Sequence, residues 1–88
     1  MFRLWAKEWK DNRMVKDYVV VDADEKTRTS KVLDSLDEAC HYFDLEIPIW
    51  LDKNIDEFKR YAKARFDQDS FIEDIPFDYL EIHVIEEA

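Results

Sequence analysis

The sequence contains no glycine among its 88 residues. At an average usage of about 7%, a chain of this length would carry roughly six. Glycine lets the backbone adopt positive φ and approach a phosphate closely, and P-loops and dinucleotide-binding loops both depend on it. The absence of glycine therefore excludes both classes of phosphate-binding loop.

Cysteine and long apolar runs are also scarce. A single cysteine, Cys40, can form neither an internal disulfide nor a cysteine-rich zinc site. The longest uncharged runs, such as Ile47 to Leu51, have five residues, whereas a membrane-spanning helix needs about 20. Arg3, Lys7 and Glu8 stand where a signal peptide needs an apolar stretch. We expect no membrane span and a reducing, cytoplasmic location.

Hydrophobic residues make up 47% of the chain, including six phenylalanines, four tyrosines and three tryptophans. Although 40% of the residues are charged, this apolar share is too large for a disordered chain. The length supports one hydrophobic core. We therefore predict a single folded acidic domain over residues 1–88.

The net charge of -9 is unevenly distributed. Residues 1–16 sum to +3, whereas residues 67–88 contain eight acids and no base. A solvated acidic surface that keeps the protein soluble explains this pattern most simply. The alternatives are an acidic face for a basic partner, or opposite patches that pair between copies.

Residues 2–21 have the pattern of a β-hairpin, with Asp11 and Asn12 as residues that tolerate the left-handed backbone of a tight turn. A two-residue loop would place Trp9 opposite Met14 and Trp5 opposite Tyr18. An amphipathic helix also fits the first residues, but Val19 to Val21 favours a strand with a neighbour. One hairpin face would then carry Arg3, Trp5, Lys7, Trp9, Met14, Lys16, Tyr18 and Val20. The other, the better candidate for the core, would carry Phe2, Leu4, Ala6, Glu8, Val15, Asp17, Val19 and Val21.

Two helices follow in the pattern. The first has an apolar stripe at helical spacing, can be capped by Thr27, Thr29 or Ser30, and should end near Asp44. Ile47 to Leu51 is predicted to be a short extended segment, and a second helix should begin at Asp52 or Asn54. Its buried stripe would be Ile55, Phe58, Ala62 and Phe66. The stripe of the first helix is Val32, Leu33, Leu36, Ala39, Cys40 and Phe43.

The chain ends in a strand over Phe77 to Ile85, apolar on both faces as in the centre of a sheet. The predicted fold class is α+β, with the element order ββ-α-β-α-β. The hairpin and one or two further strands form a small sheet, and two helices pack on one face of it.

Several stretches resemble a family of small acidic bacterial proteins, and the similarity would cover nearly the whole chain. They are Trp9-Lys10-Asp11-Asn12-Arg13, Phe43-Asp44-Leu45, Pro48-Ile49-Trp50-Leu51-Asp52, Phe58-Lys59-Arg60 and Phe77-Asp78-Tyr79-Leu80-Glu81-Ile82. That family has no assigned function, so the resemblance implies a bacterial protein and no particular chemistry, cofactor or site residue.

Two motifs suggest chemistry only weakly. Asp52 to Asp56 begins like a calcium loop, but the glycine and the closing glutamate that such a loop needs are replaced by Glu57 and Lys63. Cys40 and His41 are adjacent, and adjacent helical side chains point about 100° apart, so they do not form a nucleophile–base pair. His83 stands alone in the last strand. We predict no catalytic residue, no metal and no cofactor.

The hairpin face with Trp5, Lys7, Trp9 and Tyr18 is the most suggestive constellation. Alternating aromatic and cationic side chains on a sheet can hold single-stranded nucleic acid by stacking and phosphate attraction. A protein of charge -9 repels a polyanion beyond such a patch, which makes nucleic acid an unlikely partner. Tryptophan and tyrosine also favour protein interfaces.

The sequence therefore predicts a non-enzymatic interaction protein. It would bind a protein partner, or a second copy as a homodimer, through Trp5, Lys7, Trp9 and Tyr18. The alternative is nucleic-acid or nucleotide binding through the same basic and aromatic hairpin.

Overall fold

The computed structural model describes residues 1–87, and its architecture is α+β, as predicted. These residues form a four-stranded antiparallel sheet, two α-helices and one short 3-10 turn at Gln68–Ser70. The strands follow the spatial order β2-β1-β4-β3, so β4 is central, as its two apolar faces predicted. The elements are β1 (Phe2–Lys10), β2 (Arg13–Asp22), α1 (Arg28–Phe43), α2 (Asp52–Tyr61), β3 (Lys63–Phe66) and β4 (Tyr79–Glu86).

The hairpin of β1 and β2 closes through Asp11 and Asn12, whose φ values are 52° and 62°. Positive φ at both loop residues is the geometry of the tight hairpin turn that matches strand twist. The predicted pair Trp9 and Met14 is present, but Glu8 then pairs with Lys16, so Val15 is an extra residue in β2. This bulge shifts the register by one residue beyond the turn.

The bulge corrects the predicted faces of β2. Trp5 lies opposite Val19 instead of Tyr18, and Leu4 lies opposite Val20. Because side chains alternate along a strand, a one-residue shift moves every later side chain to the other face. The faces predicted for β1 are confirmed, whereas those of all the β2 residues from Lys16 to Val21 were wrong.

One face of the sheet, which we call the core face, packs against both helices. Its side chains are fully buried in the central strands, as Leu4, Ala6 and Ile82 show with 0% exposure. From α1 the core receives Val32, Leu36, Ala39, Cys40 and Phe43, and from α2 it receives Phe58. The helices therefore lie on one side of the sheet, as expected for this fold class.

The limits of α1 agree with the sequence pattern. Thr27 is the N-cap, and its hydroxyl accepts the backbone N–H of Ser30 at 3.1 Å. The helix ends at Phe43, and Asp44 takes the left-handed conformation at φ 58°. Leu33 alone departs from the predicted stripe, since 48% of it is exposed.

The element order between α1 and β4 differs from the prediction. Ile47 to Leu51 is not a strand, and the Ile49 N–H in it donates to the Ser70 carbonyl at 2.7 Å. The third strand comes after α2, so the order is ββ-α-α-β-β. Phe66 stands four residues after Ala62, which suits a helical stripe, but it is buried as part of β3. In so short a segment, the spacing of apolar residues alone does not distinguish the period of a helix from that of a strand.

Ala62 makes the transition from α2 to β3 in a single residue. It takes the left-handed conformation at φ 54°, and its N–H bonds the Phe58 carbonyl at 2.9 Å. Its own carbonyl accepts the N–H of Val84 in β4 at 2.9 Å. A glycine ordinarily fills such a position, because a Cβ in left-handed backbone costs about 1–2 kcal/mol.

We therefore expect Ala62→Gly to stabilise the fold by about 0.5–1 kcal/mol, after the greater entropy of glycine in the unfolded chain is subtracted. Urea unfolding followed by circular dichroism measures the change. Lys59→Gly, inside α2, is the matched control and should cost about 1 kcal/mol. Equal losses in both variants would show that position 62 carries no strain.

Candidate interaction surface

The second face of the sheet, which we call the open face, has no helix packed on it among residues 1–87. Trp5, Lys7 and Trp9 lie there as predicted. The antiparallel registers add side chains from the other strands. The open face consists of Arg3, Trp5, Lys7, Trp9, Met14, Asp17, Val19, Val21, Lys63, Arg65, Tyr79, Glu81 and His83.

Tyr18, the fourth predicted residue, lies on the core face because of the bulge at Val15. Its ring stacks on Tyr42 of α1 with centroids 4.1 Å apart, and its hydroxyl donates to Glu38 at 3.0 Å. The bond to this carboxylate raises the pKa of Tyr18. Tyr18 thus joins β2 to α1 and does not share a surface with Trp5 and Trp9.

Trp5 and Lys7 form a compact unit on the open face. The Lys7 ammonium lies 3.8 Å from the centroid of the Trp5 ring, within the range of a cation–π contact. The Trp5 indole N–H donates to Asp17 on β2 at 2.9 Å. Since both ends of the Trp5 side chain are held, the ring has a fixed orientation on the sheet.

Glu81 on β4 is the centre of the charged network, although sequence analysis did not single it out. Its carboxylate lies 3.3 Å from the Lys7 ammonium, 3.1 Å from Nε of Arg65, and 3.3 Å from the Trp9 indole nitrogen. Only 5% of the Glu81 side chain and 11% of the Lys7 side chain are exposed. Burial alone would raise the pKa of Glu81, but Arg65 and Lys7 outweigh it and hold the pKa below its ordinary value.

His83 lies beside this network, opposite Trp5 on one side and Lys63 on the other. Partial burial lowers the pKa of His83, and the charges of Lys63 and Lys7 lower it further, with only Glu81 acting in the opposite direction. The imidazole is therefore neutral at physiological pH. It offers one donor and one acceptor at the middle of the open face.

The basic segment 1–16 and the acidic segment 67–88 form ion pairs with each other within one chain. Because β1 and β4 are neighbours, Lys7 pairs with Glu81, and Arg3 pairs with Glu86 at 2.6 Å. These contacts account for part of the charge asymmetry without pairing between copies. They also leave the acidic residues of β4 engaged with cations of the same molecule.

The remaining candidate residues do not come together. Cys40 is fully buried, and burial raises the pKa of its thiol to about 12. His41 is exposed on α1, on the core-face side, whereas His83 is on the open face. A thiolate nucleophile and a shared histidine site are both absent from this arrangement of residues 1–87.

The stretch that resembled a calcium loop is part of α2. Asn54 is 1% exposed and hydrogen-bonded to protein groups, and Lys53 pairs with Asp67 at 2.9 Å. Across residues 1–87 no cluster of three or more histidine, cysteine or carboxylate side chains is arranged to hold a metal ion. Within the same residues, none of the helices has the length and apolar character that crossing a membrane requires.

Sequence reasoning missed Glu81 and Arg65 on the open face, as well as Val19 and Val21. The alternation of β4 placed Glu81 on the same face as Tyr79 and His83, which was the available signal. Nothing in the pattern showed that this face would adjoin the Trp5 face of β1, because strand order follows from tertiary packing.

Comparison of the chain with protein-family models, with curated proteins and with solved structures finds no match. The resemblance to a family of small acidic bacterial proteins therefore stays a prediction. The fold and the open face by themselves define an α+β domain with an aromatic sheet surface that no helix covers among residues 1–87.

Proposed function

We propose that this protein acts in the bacterial cytoplasm by binding another protein through the open face, without catalysing a reaction. The observation that carries the proposal is the pair of half-buried indoles, Trp5 and Trp9, on a sheet face that has no covering layer in the described chain. Aromatic side chains held rigid before binding contribute contact area at low entropic cost.

Apolar residues on β2 extend the surface beyond the two indoles. Met14 is 43% exposed beside Trp9, Val19 is 39% exposed beside Trp5, and Val21 is 48% exposed near the end of the strand. Together they give an apolar strip along β1 and β2. Charged groups from β3 and β4 border this strip, which is the usual composition of a protein-binding patch.

The charges at the centre of the open face favour a protein partner over nucleic acid. Lys7 is nearly buried and engaged with Glu81 and the Trp5 ring, and both indole N–H groups donate to carboxylates. A phosphate would find few unpaired cations there and would meet Asp17 at the edge. Binding driven by the apolar strip should therefore persist at high salt, whereas phosphate binding should weaken steeply.

The proposal predicts that Trp5→Ser/Trp9→Ser weakens association by about 30-fold or more, since tryptophan hot spots contribute at least about 2 kcal/mol. Affinity capture from lysate of the producing cells, at low and high salt, measures association with other proteins. The tagged wild type and the variant are compared side by side.

Ile72→Ser is the matched control, because Ile72 is 83% exposed and lies outside the sheet. Trp5→Ser alone serves as the milder variant, since the Trp5 indole bond is at the surface. A protein retained by the wild type and by the control, but lost with both tryptophan variants, supports the proposal. Identical retention by all variants, or captured nucleic acid that salt removes, contradicts it.

A further inference from the structure

The sheet ends in β3 on one side and β2 on the other, and the outer edges of these two strands differ in their hydrogen bonding. β3 has four residues, and α2 caps its outer edge: the Glu57 carboxylate accepts the Arg65 N–H at 2.7 Å, and the Asn54 amide donates to the Arg65 carbonyl at 2.8 Å. The other outer strand, β2, has ten residues. Among residues 1–87, no segment bonds the backbone of β2 on its outer side.

The alternation of an antiparallel ladder identifies the outward backbone groups of β2. The Trp9 carbonyl accepts the Asp78 N–H at 2.8 Å, away from β2, so Trp9, Lys7 and Trp5 direct their backbone groups away from β2. Their partners in β2 must therefore direct theirs outward. Beyond the bulge these partners are Asp17, Val19 and Val21.

Between Asp17 and Asp22, β2 lacks the lysine, proline and bulge that usually protect a sheet edge. The bulge at Val15 and Lys16 protect the beginning of β2, but Asp17 to Asp22 is regular, contains no proline, and is rich in valine. Free edges of this kind pair with another strand. The contrast with the capped edge of β3 indicates that β2 is the edge left available for pairing.

We infer that β2 pairs edge to edge with β2 of a second copy, forming an antiparallel homodimer centred on Val19. That register places Val19 opposite Val19 of the second copy, and Asp17 opposite Val21, so all three outward residues are in hydrogen-bonded pairs. It also places Lys16 of each chain opposite Asp22 of the other, whose carboxylate lies 3.0 Å from the Lys26 ammonium of its own chain. Opposite charges directly across an antiparallel pair stabilise it.

The assembly closes at two copies. A two-fold pairing of β2 uses the same surface on both chains, which produces a dimer and not a fibre. The remaining edges are the β3 edges, and both are capped by Glu57 and Asn54. The resulting sheet would have eight strands, and the open faces of the two copies would form one continuous surface.

Light scattering tests the inference directly. We expect the wild type to have twice the 10.7 kDa mass of one chain, most clearly at high salt, where repulsion between two chains of charge -9 is screened. Val19→Pro removes an outward N–H that β1 does not use, and should raise the dissociation constant at least tenfold. Val19→Thr retains the N–H and the branched shape, and should remain dimeric. A monomeric wild type at millimolar concentration would overturn the inference.

Cross-linking provides a second test that does not depend on the proline variant folding. Val19→Cys should be joined to itself by a short bis-maleimide, because Cys40 is fully buried and does not compete. Ile72→Cys, which is exposed and lies outside the sheet, should remain unlinked. Equal cross-linking at both positions would contradict the β2 register. The Trp5→Ser/Trp9→Ser variant should stay dimeric, so failure of the open-face proposal and failure of this one give different results.

Discussion

Replacing Glu81 with glutamine should destabilise the protein by about 3–5 kcal/mol, the typical cost of removing one partner of a buried ion pair. The substitution leaves the Lys7 ammonium nearly buried without a counter-ion, and weakens the bonds from Arg65 and Trp9. A domain of this size has a total stability of about 5–10 kcal/mol. The Glu81→Gln variant would therefore be close to unfolding at room temperature.

Urea unfolding followed by circular dichroism measures this loss of stability. Two further variants test whether the loss comes from breaking the buried ion pair. Lys7→Met/Glu81→Leu removes both charges and should recover most of the stability, because apolar residues of similar volume replace buried ion pairs well. Glu86→Gln breaks the pair with Arg3, whose side chain is 44% exposed, and should cost no more than about 1 kcal/mol. A Glu81→Gln loss as small as that of Glu86→Gln would contradict the assigned role of Glu81.

Glu81 also makes the stability of the fold depend on pH, and the direction of its pKa shift determines the sign. The pKa of Glu81 is lower in the folded protein than its ordinary value of 4.5, so the folded state favours the ionised carboxylate. Its contribution is complete above pH 4.5 and is lost as the pH falls through the lower folded-state pKa. The stability difference between wild type and Glu81→Gln should shrink over that range. Taking this difference removes the opposite trend from Glu8, whose burial raises its pKa.

Replacing Asn54 with alanine should cost about 3 kcal/mol, since it leaves several buried or partly buried polar groups without partners. The Asn54 side chain is 1% exposed and joins three segments. Its oxygen accepts the Leu51 N–H at 3.0 Å and the Ser70 hydroxyl at 3.2 Å, and its amide donates to Arg65 in β3. We expect the link between α2 and β3 to loosen first.

Thr27→Ala is the matched control for this prediction, because Thr27 also caps a helix but lies at the surface, and should cost about 1 kcal/mol. Asn54→Asp keeps the acceptor and loses the donor to the Arg65 carbonyl, so it should remain destabilised. Thermal and urea unfolding measure all three variants. Equal costs for Asn54→Ala and Thr27→Ala would show that Asn54 acts only as a helix cap.

The sequence pattern placed the start of α2 at Asp52 or Asn54, and α2 begins at Asp52. As one of the two candidates, Asn54 was expected to be the cap itself. In the structure Leu51 holds that position, and Asn54 bonds back to it from the third helical residue. Residue type and spacing indicate that a helix begins nearby. They do not show which distant backbone groups, here Arg65 and Ser70, the amide will also reach.

The hairpin shows more clearly which features the local sequence predicts and which depend on tertiary packing. Alternation in β1 was sufficient to place Trp5, Lys7 and Trp9 on one face, and Asp11 with Asn12 was sufficient to place the turn. The bulge at Val15 moved Tyr18 to the core face, where it stacks on Tyr42. A bulge depends on which register buries more apolar surface across the whole sheet, and local sequence does not contain that information.

The sequence by itself determined the α+β class, the approximate extent of α1 and its buried stripe apart from Leu33, because these follow from local periodicity and capping chemistry. Only the tertiary structure decided the strand order, which placed β1 beside β4 and made Glu81 the partner of Lys7. It also decided that the edge of β3 is capped while that of β2 is free. Contacts between distant segments form where the complete core packs best, so they are properties of the assembled fold.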